Sequence, residues 1–199
     1  MVRVWCLRHG ESVNVESGAC GSLPAVPLTA TGRDQAAAAV AVLARHAPAR
    51  VYASTAVRAV YTGQIIATGL GVDLLTHPGL GEVDIGSAEG ATDPPTRAET
   101  ARVLHAWVVH RDLAARVADG ETGHQVIARV TAALDTIADT NPAATVVLVG
   151  HTASLTVALA TACQLGARVW GTALPPATPF LIQRHHRTWQ CLDWPPAPR

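Results

Sequence analysis

The stretch that decides the fold is Val2–Ser12, VRVWCLRHGES, near the start of the chain. Its largely apolar first half is typical of a buried strand, which ends where Arg8 and His9 meet Gly10. A strand that ends in this way presents such side chains at the carboxyl edge of a sheet, where open α/β folds bind ligands. An imidazole beside a guanidinium suits attack on a phosphoryl group whose oxygens the guanidinium holds. Because an Arg-His pair also arises by chance, the interpretation depends on the rest of the chain.

A second histidine stands at the end of another apolar run. The run Thr145–Val149 consists mostly of β-branched residues and leucine, and it is followed by Gly150 and His151. Such an uninterrupted run predicts a central strand that is covered on both faces. A single histidine in this position is more often structural than catalytic. Two of them, at the ends of two parallel strands, can converge at one edge of a sheet, and this favours a functional site around His9 and His151.

Strands and helices alternate along the chain. The predicted strands are residues 2–7, 51–54, 72–75, 145–149 and 180–183, and the predicted helices are residues 31–44, 55–68, 96–118, 123–139 and 153–163. This alternation predicts an α/β fold, a three-layer α/β/α sandwich with a mostly parallel central sheet. The 199 residues are expected to form a single domain, with a short lid-like insertion at about 84–120.

Composition narrows the class of partner. The formal net charge is zero and 49% of the residues are hydrophobic, which argues against a surface for nucleic acid. No lysine occurs among the fifteen basic residues, so Schiff-base chemistry on a lysine is excluded. The N-terminus lacks a basic-then-apolar leader, and no apolar stretch is long enough to span a bilayer. The expectation is therefore a cytoplasmic protein without a membrane partner.

Two further elements supply charge for a phosphoryl site. Arg58 follows a third predicted strand and falls in the first turn of a helix, where backbone N–H groups and the helix dipole favour an anion. The glycine-punctuated loop 80–90 contains Glu82, Asp84 and Glu89. Phosphoryl transfer to histidine needs an acid that protonates the leaving oxygen. Spacing alone does not choose between the three carboxylates.

Together these segments resemble the histidine phosphatase superfamily, the phosphoglycerate-mutase-like group, in its branch of small bacterial phosphatases. The resemblance covers most of the chain, and the matching segments occur in the order of the family's motifs. These segments are Leu7–Ser12, Leu28–Ala36, Ser54–Thr62, Glu82–Gly90, Gly120–Arg129 and Val147–His151. Six matches in the right order are far more specific than any one of them.

The resemblance implies a phosphoglycerate-mutase-like fold and a phosphoric monoester hydrolase that works without a metal or cofactor through a phosphohistidine. His9 would be the nucleophile, and Glu82 would be the general acid and later the base. Arg8, Arg58 and His151 would surround the phosphoryl oxygens, with His151 also counted among the catalytic groups. These groups suit phosphoryl transfer, which depends mainly on positioning and on neutralising oxygen charge. His9 must be neutral at its attacking nitrogen, so its other ring nitrogen is expected to donate to a backbone carbonyl.

The sequence departs from the family pattern at three positions. Asn14 stands five residues after His9, whereas the family often has an asparagine six residues after the nucleophile. Thr152 stands where a glycine usually follows the second histidine, and Gly150 where a serine often precedes it. Asn14 and Thr152 are kept as candidate phosphate contacts. Thr152 could narrow the pocket or add a hydroxyl contact.

Two other functions stay open beside the phosphatase. A phosphoglycerate-type phosphomutase of this family usually carries a long insertion after the acid loop, and the segment 91–119 is short. A catalytically silent phospholigand-binding module usually lacks the nucleophile or the acid, whereas His9 and Glu82 are both present. The expected partner is a small-molecule phosphoester, and a homodimer is possible. Residues 11–27 and 84–120 are expected to set specificity, and their composition weakly favours a substrate with an uncharged or apolar body.

Overall fold

Six strands form one sheet in the computed structural model, which describes residues 1–171 and 173–195 apart from the side chains of residues 15 and 16. They are β1 (Val2–Arg8), β2 (Arg50–Ala53), β3 (Asp73–Thr76), β4 (Thr145–Gly150), β5 (Phe180–His185) and β6 (Thr188–Cys191). Their order across the sheet is β3-β2-β4-β1-β5-β6. The pairs β3–β2, β2–β4 and β4–β1 are parallel, while β5 and β6 are added antiparallel at one edge. The prediction of a mostly parallel sheet is confirmed.

Helices cover both faces of this sheet. They are α1 (Val13–Ser17), α2 (Ala30–Leu43), α3 (Val57–Leu70), α4 (Pro94–His105), α5 (Gly123–Thr140) and α6 (Thr152–Ala162). One cluster of buried side chains joins the sheet to α5 and α6, and a second cluster joins its other face to α2 and α3. The three-layer α/β/α arrangement is therefore as predicted. None of the helices in the described ranges is long and apolar enough to cross a bilayer.

Strand β4 shows why its sequence lacks polar alternation. Val146 and Leu148 belong to the cluster under α5 and α6, whereas Val147 and Val149 belong to the cluster under α2 and α3. All four side chains are fully buried. Since successive side chains of a strand point to opposite faces, a strand covered on both faces must be apolar throughout. Each such burial contributes about 1.5–3 kcal/mol, which holds β4 in the middle of the sheet.

The predicted helix over residues 96–118 is wrong in its second half. Helix α4 begins two residues before that span, behind Asp93, whose carboxylate accepts a hydrogen bond from Thr96 N at 2.9 Å. It continues as a single π turn over Ala106–His110 and ends at Arg111, whose φ of 59° is left-handed. The apolar stripe behind the prediction, which consists of Val103, Leu104, Trp107 and Val108, lies entirely before this break. It therefore held no information on residues 111–118, of which only Val117 is buried.

Two elements were missed by the sequence analysis. Strand β6 follows β5 through a tight turn in which His186 has a φ of 54°. Of its residues only Trp189 is buried, so the segment lacks an apolar pattern. Helix α1 has five residues, which is too short for a helical period to emerge from the sequence.

Candidate active site

His9 and His151 lie side by side because the strands that precede them are neighbours. The last pair of residues in the β1–β4 ladder is Arg8 with Gly150, and His9 N donates to Gly150 O at 3.0 Å. The centroids of the two imidazole rings are 5.1 Å apart. The convergence of two strand-end histidines at one sheet edge, predicted from the sequence, is thus present in the structure.

The ring of His9 is buried and held in one orientation. Its Nδ1 lies 2.6 Å from the Gly10 carbonyl oxygen, which can only accept, so Nδ1 carries the proton. The other nitrogen, Nε2, accepts a hydrogen bond from Arg58 Nε at 3.1 Å. Burial lowers the pKa of His9 to about 2, and nearby His151, Arg58 and Arg8 act in the same direction. His9 is therefore neutral, with a lone pair on Nε2, as a nucleophilic nitrogen must be.

The turn that carries His9 is fixed from helix α3. Gly10 N donates to Thr62 Oγ1 at 3.1 Å, and Thr62 Oγ1 donates to the carbonyl of Arg58 at 2.8 Å. A side chain at residue 10 would overlap the backbone of Gly32, which passes directly beside this turn. The glycine of the Arg-His-Gly triplet is thus required by a close approach of two backbones.

Arg58 joins the two histidines to the loop above them. Its side chain is fully buried, and its Nη2 donates to His151 Nδ1 at 3.3 Å in addition to the contact of Nε with His9. Its Nη1 donates to Leu23 O and its Nη2 to Ser22 O, each at 2.7 Å. These contacts use four of the five N–H bonds of the guanidinium. Arg58 is therefore bound within the site and is not a solvated surface charge.

The proton of His151 is placed by its two neighbours. Because Arg58 can only donate, Nδ1 of His151 accepts, and the proton lies on Nε2, 2.7 Å from Ser54 Oγ. Ser54 Oγ also accepts a hydrogen bond from Ala56 N at 3.1 Å. Burial lowers the pKa of His151 well below its usual range, and the charges of Arg58, Arg129 and Arg8 add to the effect. Both histidines of the site are thus uncharged.

Glu82 lies at the same edge, against the start of helix α6. Its carboxylate accepts hydrogen bonds from Ala153 N at 3.1 Å and Ser154 N at 2.8 Å, in the helical turn that follows His151. A carboxylate is favoured at a helix N-terminus, where backbone N–H groups are unpaired. Within the acid loop, Asp84 makes a local contact instead, since its carboxylate accepts from Gly86 N at 2.7 Å.

Two matched positions of the Gly120–Arg129 segment support the backbone next to Glu82. Arg129 donates to the carbonyl oxygens of Gly79, Gly81 and Glu82 at 2.8–3.0 Å. The same guanidinium forms an ion pair with Glu121 at 2.7 Å. The family motif around these residues is therefore connected physically to the acid loop.

Arg8 brings a second positive charge to the site. Burial lowers the pKa of Arg8, while the carboxylates of Glu82 and Glu11 offset part of this effect. Its Nη1 donates to Leu174 O at 3.2 Å. Its buried Nε has no hydrogen-bond partner within the described residues. Burial also lowers the pKa of Arg58, against an opposing effect of Glu82.

Asn14 and Thr152 have other contacts in this structure. Asn14 Oδ1 accepts a hydrogen bond from the hydroxyl of Ser12 at 2.8 Å. Thr152 is the first residue of α6 and lines a cavity of about 230 Å³. Its other lining residues are Leu104, Thr156, Val169, Trp170, Gly171 and Ala173. The phosphate contacts of Asn14 and Thr152 remain predictions. The described residues contain no group of three or more metal-ligating side chains placed to hold an ion.

Sequence reasoning assigned no role to Ser54 or Thr62, although both fall within a matched segment. Ser54 directly follows β2, so it reaches the same sheet edge as the histidines, and Thr62 lies one helical turn beyond Arg58. The position of each residue relative to Arg58 could have indicated a role: Ser54 is a polar residue at a strand end, and Thr62 lies on the same face of the helix as Arg58. Both side chains are fully buried, which is unusual for hydroxyl groups without a partner to bind.

Comparison with solved structures gives the same fold over nearly the whole chain. YhfR of Bacillus stearothermophilus is 24% identical with a TM-score of 0.83, and the match covers 96% of each chain. A mycobacterial glucosyl-3-phosphoglycerate phosphatase is 25% identical with a TM-score of 0.81, over 96% of this chain and 97% of that one. A putative alpha-ribazole-5'-P phosphatase from Escherichia coli is 21% identical with a TM-score of 0.77, over 96% and 95% respectively.

A search for similar curated proteins gave no significant match. The sequence model of the histidine phosphatase superfamily (branch 1), in contrast, matches residues 4–195. That span contains both strand-end histidines, both site arginines and the acid loop. The chain belongs to the histidine phosphatase superfamily, branch 1.

Proposed function

We propose that this protein is a metal-independent phosphatase that hydrolyses a phosphomonoester of a small metabolite through a phosphohistidine intermediate. The observation that carries the proposal is the state of His9. Its Nε2 is unprotonated, and the only group bonded to it among the described residues is Arg58, a donor that can turn to a phosphoryl oxygen instead. A neutral imidazole whose unprotonated nitrogen is released when Arg58 turns away, and which lies beside two arginines, is suited to attack phosphorus.

The reaction has two displacement steps. His9 Nε2 attacks phosphorus, the bond from phosphorus to the alcohol oxygen breaks, and the leaving oxygen takes its proton from Glu82, which must enter this step as the protonated acid. Glu82 then takes a proton from water, whose oxygen attacks the phosphohistidine and releases phosphate and neutral His9. Before the first step, Arg58 Nε must leave His9 Nε2, because that lone pair forms the new bond.

The charges around His9 match those of a phosphoryl group. Arg8 and Arg58 place two positive charges at the sheet edge. Arg8 Nε, which has no hydrogen-bond partner in the part of the chain that the structure describes, is a donor available to a phosphoryl oxygen. Such groups stabilise the charge that spreads over the equatorial oxygens in the transition state. A contact from His151 Nδ1 to a phosphoryl oxygen requires that the proton of His151 move from Nε2 to Nδ1, because an unprotonated Nδ1 and a phosphoryl oxygen are both acceptors.

Hydrolysis of a small metabolite also agrees with the relatives. Two structural neighbours are named as phosphatases of glucosyl-3-phosphoglycerate and, putatively, of alpha-ribazole-5'-P, which are both small phosphoesters. The short segment 91–119 further favours hydrolysis over phosphoglycerate mutation. The identity of this protein's own substrate is a separate question, for which a screen of phosphometabolites is the direct approach.

The first experiment is hydrolysis of p-nitrophenyl phosphate with EDTA present, for the wild type, His9→Ala and the control His124→Ala. His124 is exposed at the start of α5, and its side chain makes no hydrogen bond within the described residues. We expect activity in the wild type and the control, and loss of it in His9→Ala. Rapid acid-free quenching with labelled substrate should trap phosphate on the wild type and the control but not on His9→Ala. Equal rates for the wild type and His9→Ala would refute the mechanism.

The same preparation distinguishes the two alternatives. Turnover of 3-phosphoglycerate that depends on added 2,3-bisphosphoglycerate would favour the phosphomutase. Binding of vanadate without turnover of any ester in a broad panel would favour the silent binding module.

A further inference from the structure

The carboxylate of Glu89 lies beneath the loop that holds Arg58. Its Oε1 accepts hydrogen bonds from Ser22 N and Ile85 N, both at 3.0 Å, and its Oε2 accepts one from Leu23 N at 3.2 Å. One carboxylate thus accepts hydrogen bonds from three backbone N–H groups, which belong to two segments more than sixty residues apart in the sequence. Such charge-assisted hydrogen bonds are stronger than those between neutral groups, so they fix the path of the Ser22–Leu23 backbone.

The same backbone segment binds Arg58 with its carbonyl groups. The peptide group that joins Ser22 to Leu23 donates its N–H to Glu89 and accepts a hydrogen bond from Arg58 Nη2 at 2.7 Å. The next carbonyl, that of Leu23, accepts from Nη1 at 2.7 Å. A peptide group between a carboxylate and a guanidinium is polarised by both, and each hydrogen bond strengthens the other.

The backbone of residues 21–23 has an unfavourable conformation that needs support from its surroundings. Leu23 has a φ of 36° and Gly21 a φ of 101°, and left-handed backbone is unfavourable for a residue such as leucine. A side chain at residue 21 would overlap the Glu89 carboxylate, so this glycine is needed for the carboxylate to approach. Strained backbone persists only where its surroundings hold it in place. Here the surroundings are Glu89 on one side and Arg58 on the other.

We propose that Glu89 is a positioning residue of the active site, which acts through the Ser22–Leu23 peptide to orient Arg58 toward His9 and the phosphoryl group. This inference rests on the proposed phosphatase function. Glu89 touches neither histidine among its described contacts, so its effect on the reaction passes through Arg58. Its charge also raises the pKa of Arg58, against the burial that lowers it.

The test is a double-mutant cycle between Glu89→Gln and Arg58→Lys, measured as kcat/KM for p-nitrophenyl phosphate. Glutamine keeps the shape of Glu89 but turns an NH₂ group toward a backbone N–H. Lysine keeps the charge of Arg58 but lacks the planar fork of N–H donors that reaches two carbonyl groups and His9 in different directions. We expect Glu89→Gln to lower kcat/KM roughly 10- to 100-fold in the wild type, as a misplacement of about 1 Å can do. In the Arg58→Lys background we expect less than about a threefold further loss, because coupled residues are not additive.

Glu99→Gln is the matched control, because it removes an exposed acid that pairs with Arg102 on the surface of α4. It should retain wild-type kcat/KM. Gly21→Ala disturbs the same loop from the other side and should reproduce the loss seen in Glu89→Gln.

Equal losses from Glu89→Gln in both backgrounds would overturn the proposal, since Glu89 would then act independently of Arg58. Failure of both Glu89→Gln and Gly21→Ala to fold, judged by the absence of a cooperative thermal transition, would also overturn it and make Glu89 a stability residue. An inactive wild type would instead contradict the proposed function.

Discussion

Mild acid should destabilise this protein because its two site histidines are buried without charge. The pKa of His9 is about 2 in the folded protein, compared with 6.5 as the ordinary value. Between these two pH values the unfolded chain binds a proton at residue 9 that the folded protein does not. Stability therefore falls as the pH drops below 6.5 and continues to fall toward pH 2. The pKa of His151 is also well below its ordinary value, so it contributes with the same sign.

The size of the effect follows from the pKa difference. Each pH unit below 6.5 removes about 1.4 kcal/mol of stability for each histidine that stays neutral in the folded state. Between pH 7 and pH 5, His9 alone should lower the free energy of unfolding by about 2 kcal/mol, and His151 adds to this loss with the same sign. The pKa difference is converted to free energy without a reduction for solvent screening, because His9 is only 4% exposed.

The assay is urea unfolding at pH 7 and pH 5 for the wild type and His9→Gln, which cannot titrate at residue 9. The loss between the two pH values should be about 2 kcal/mol smaller in the variant, whatever its stability at pH 7. His124→Gln, which removes an exposed histidine, is the matched control for one histidine fewer. An equal loss in the wild type and His9→Gln would show that His9 takes up a proton in the folded protein, and the argument for a neutral nucleophile would fail.

Three substitutions test other parts of the site. Thr62→Val should lower the free energy of unfolding at pH 7 by roughly 1–3 kcal/mol in urea, because the buried N–H of Gly10 loses its acceptor. Gly32→Ala should abolish the cooperative thermal transition followed by circular dichroism, since its side chain would overlap a neighbouring backbone oxygen. Ser54→Ala should lower kcat/KM for p-nitrophenyl phosphate roughly 10- to 100-fold, because His151 loses the acceptor that fixes its proton on Nε2. An unchanged value in any of these measurements would contradict the corresponding contact.

The sheet could be predicted because a strand that is buried on both faces has an uninterrupted apolar sequence. In β4 both faces are covered, so the four buried positions Val146–Val149 are all apolar, and the first polar side chain after them, that of His151, marks the sheet edge. The same reasoning placed His9 at the end of β1. Parallel strands bring their carboxyl ends together, and residues that are distant in sequence therefore became neighbours in the prediction.

The contacts that hold Arg58 could not be predicted in the same way. Ser22 and Leu23 bind it through carbonyl oxygens, which every residue has, so side-chain identity carries no signal for them. The role of Glu89 was ambiguous for a related reason. In the sequence, Glu89 and Glu82 fall in the same loop. Only the tertiary structure shows that Glu82 binds the start of helix α6, whereas Glu89 binds the Ser22–Leu23 backbone.

The burial that prepares His9 for attack is also what makes the protein sensitive to acid. A histidine at its ordinary pKa would be partly protonated near neutral pH, and its protonated form has no lone pair for phosphorus. Burial beside Arg58 and Arg8 removes this competition, because it opposes a further positive charge at His9. The unfolded chain is free of that constraint and takes up the proton. The burial of His9 therefore has two consequences: its lone pair stays unprotonated at every physiological pH, and the protein loses stability below pH 6.5. A substitution that reduces the loss of stability in acid should also make His9 easier to protonate.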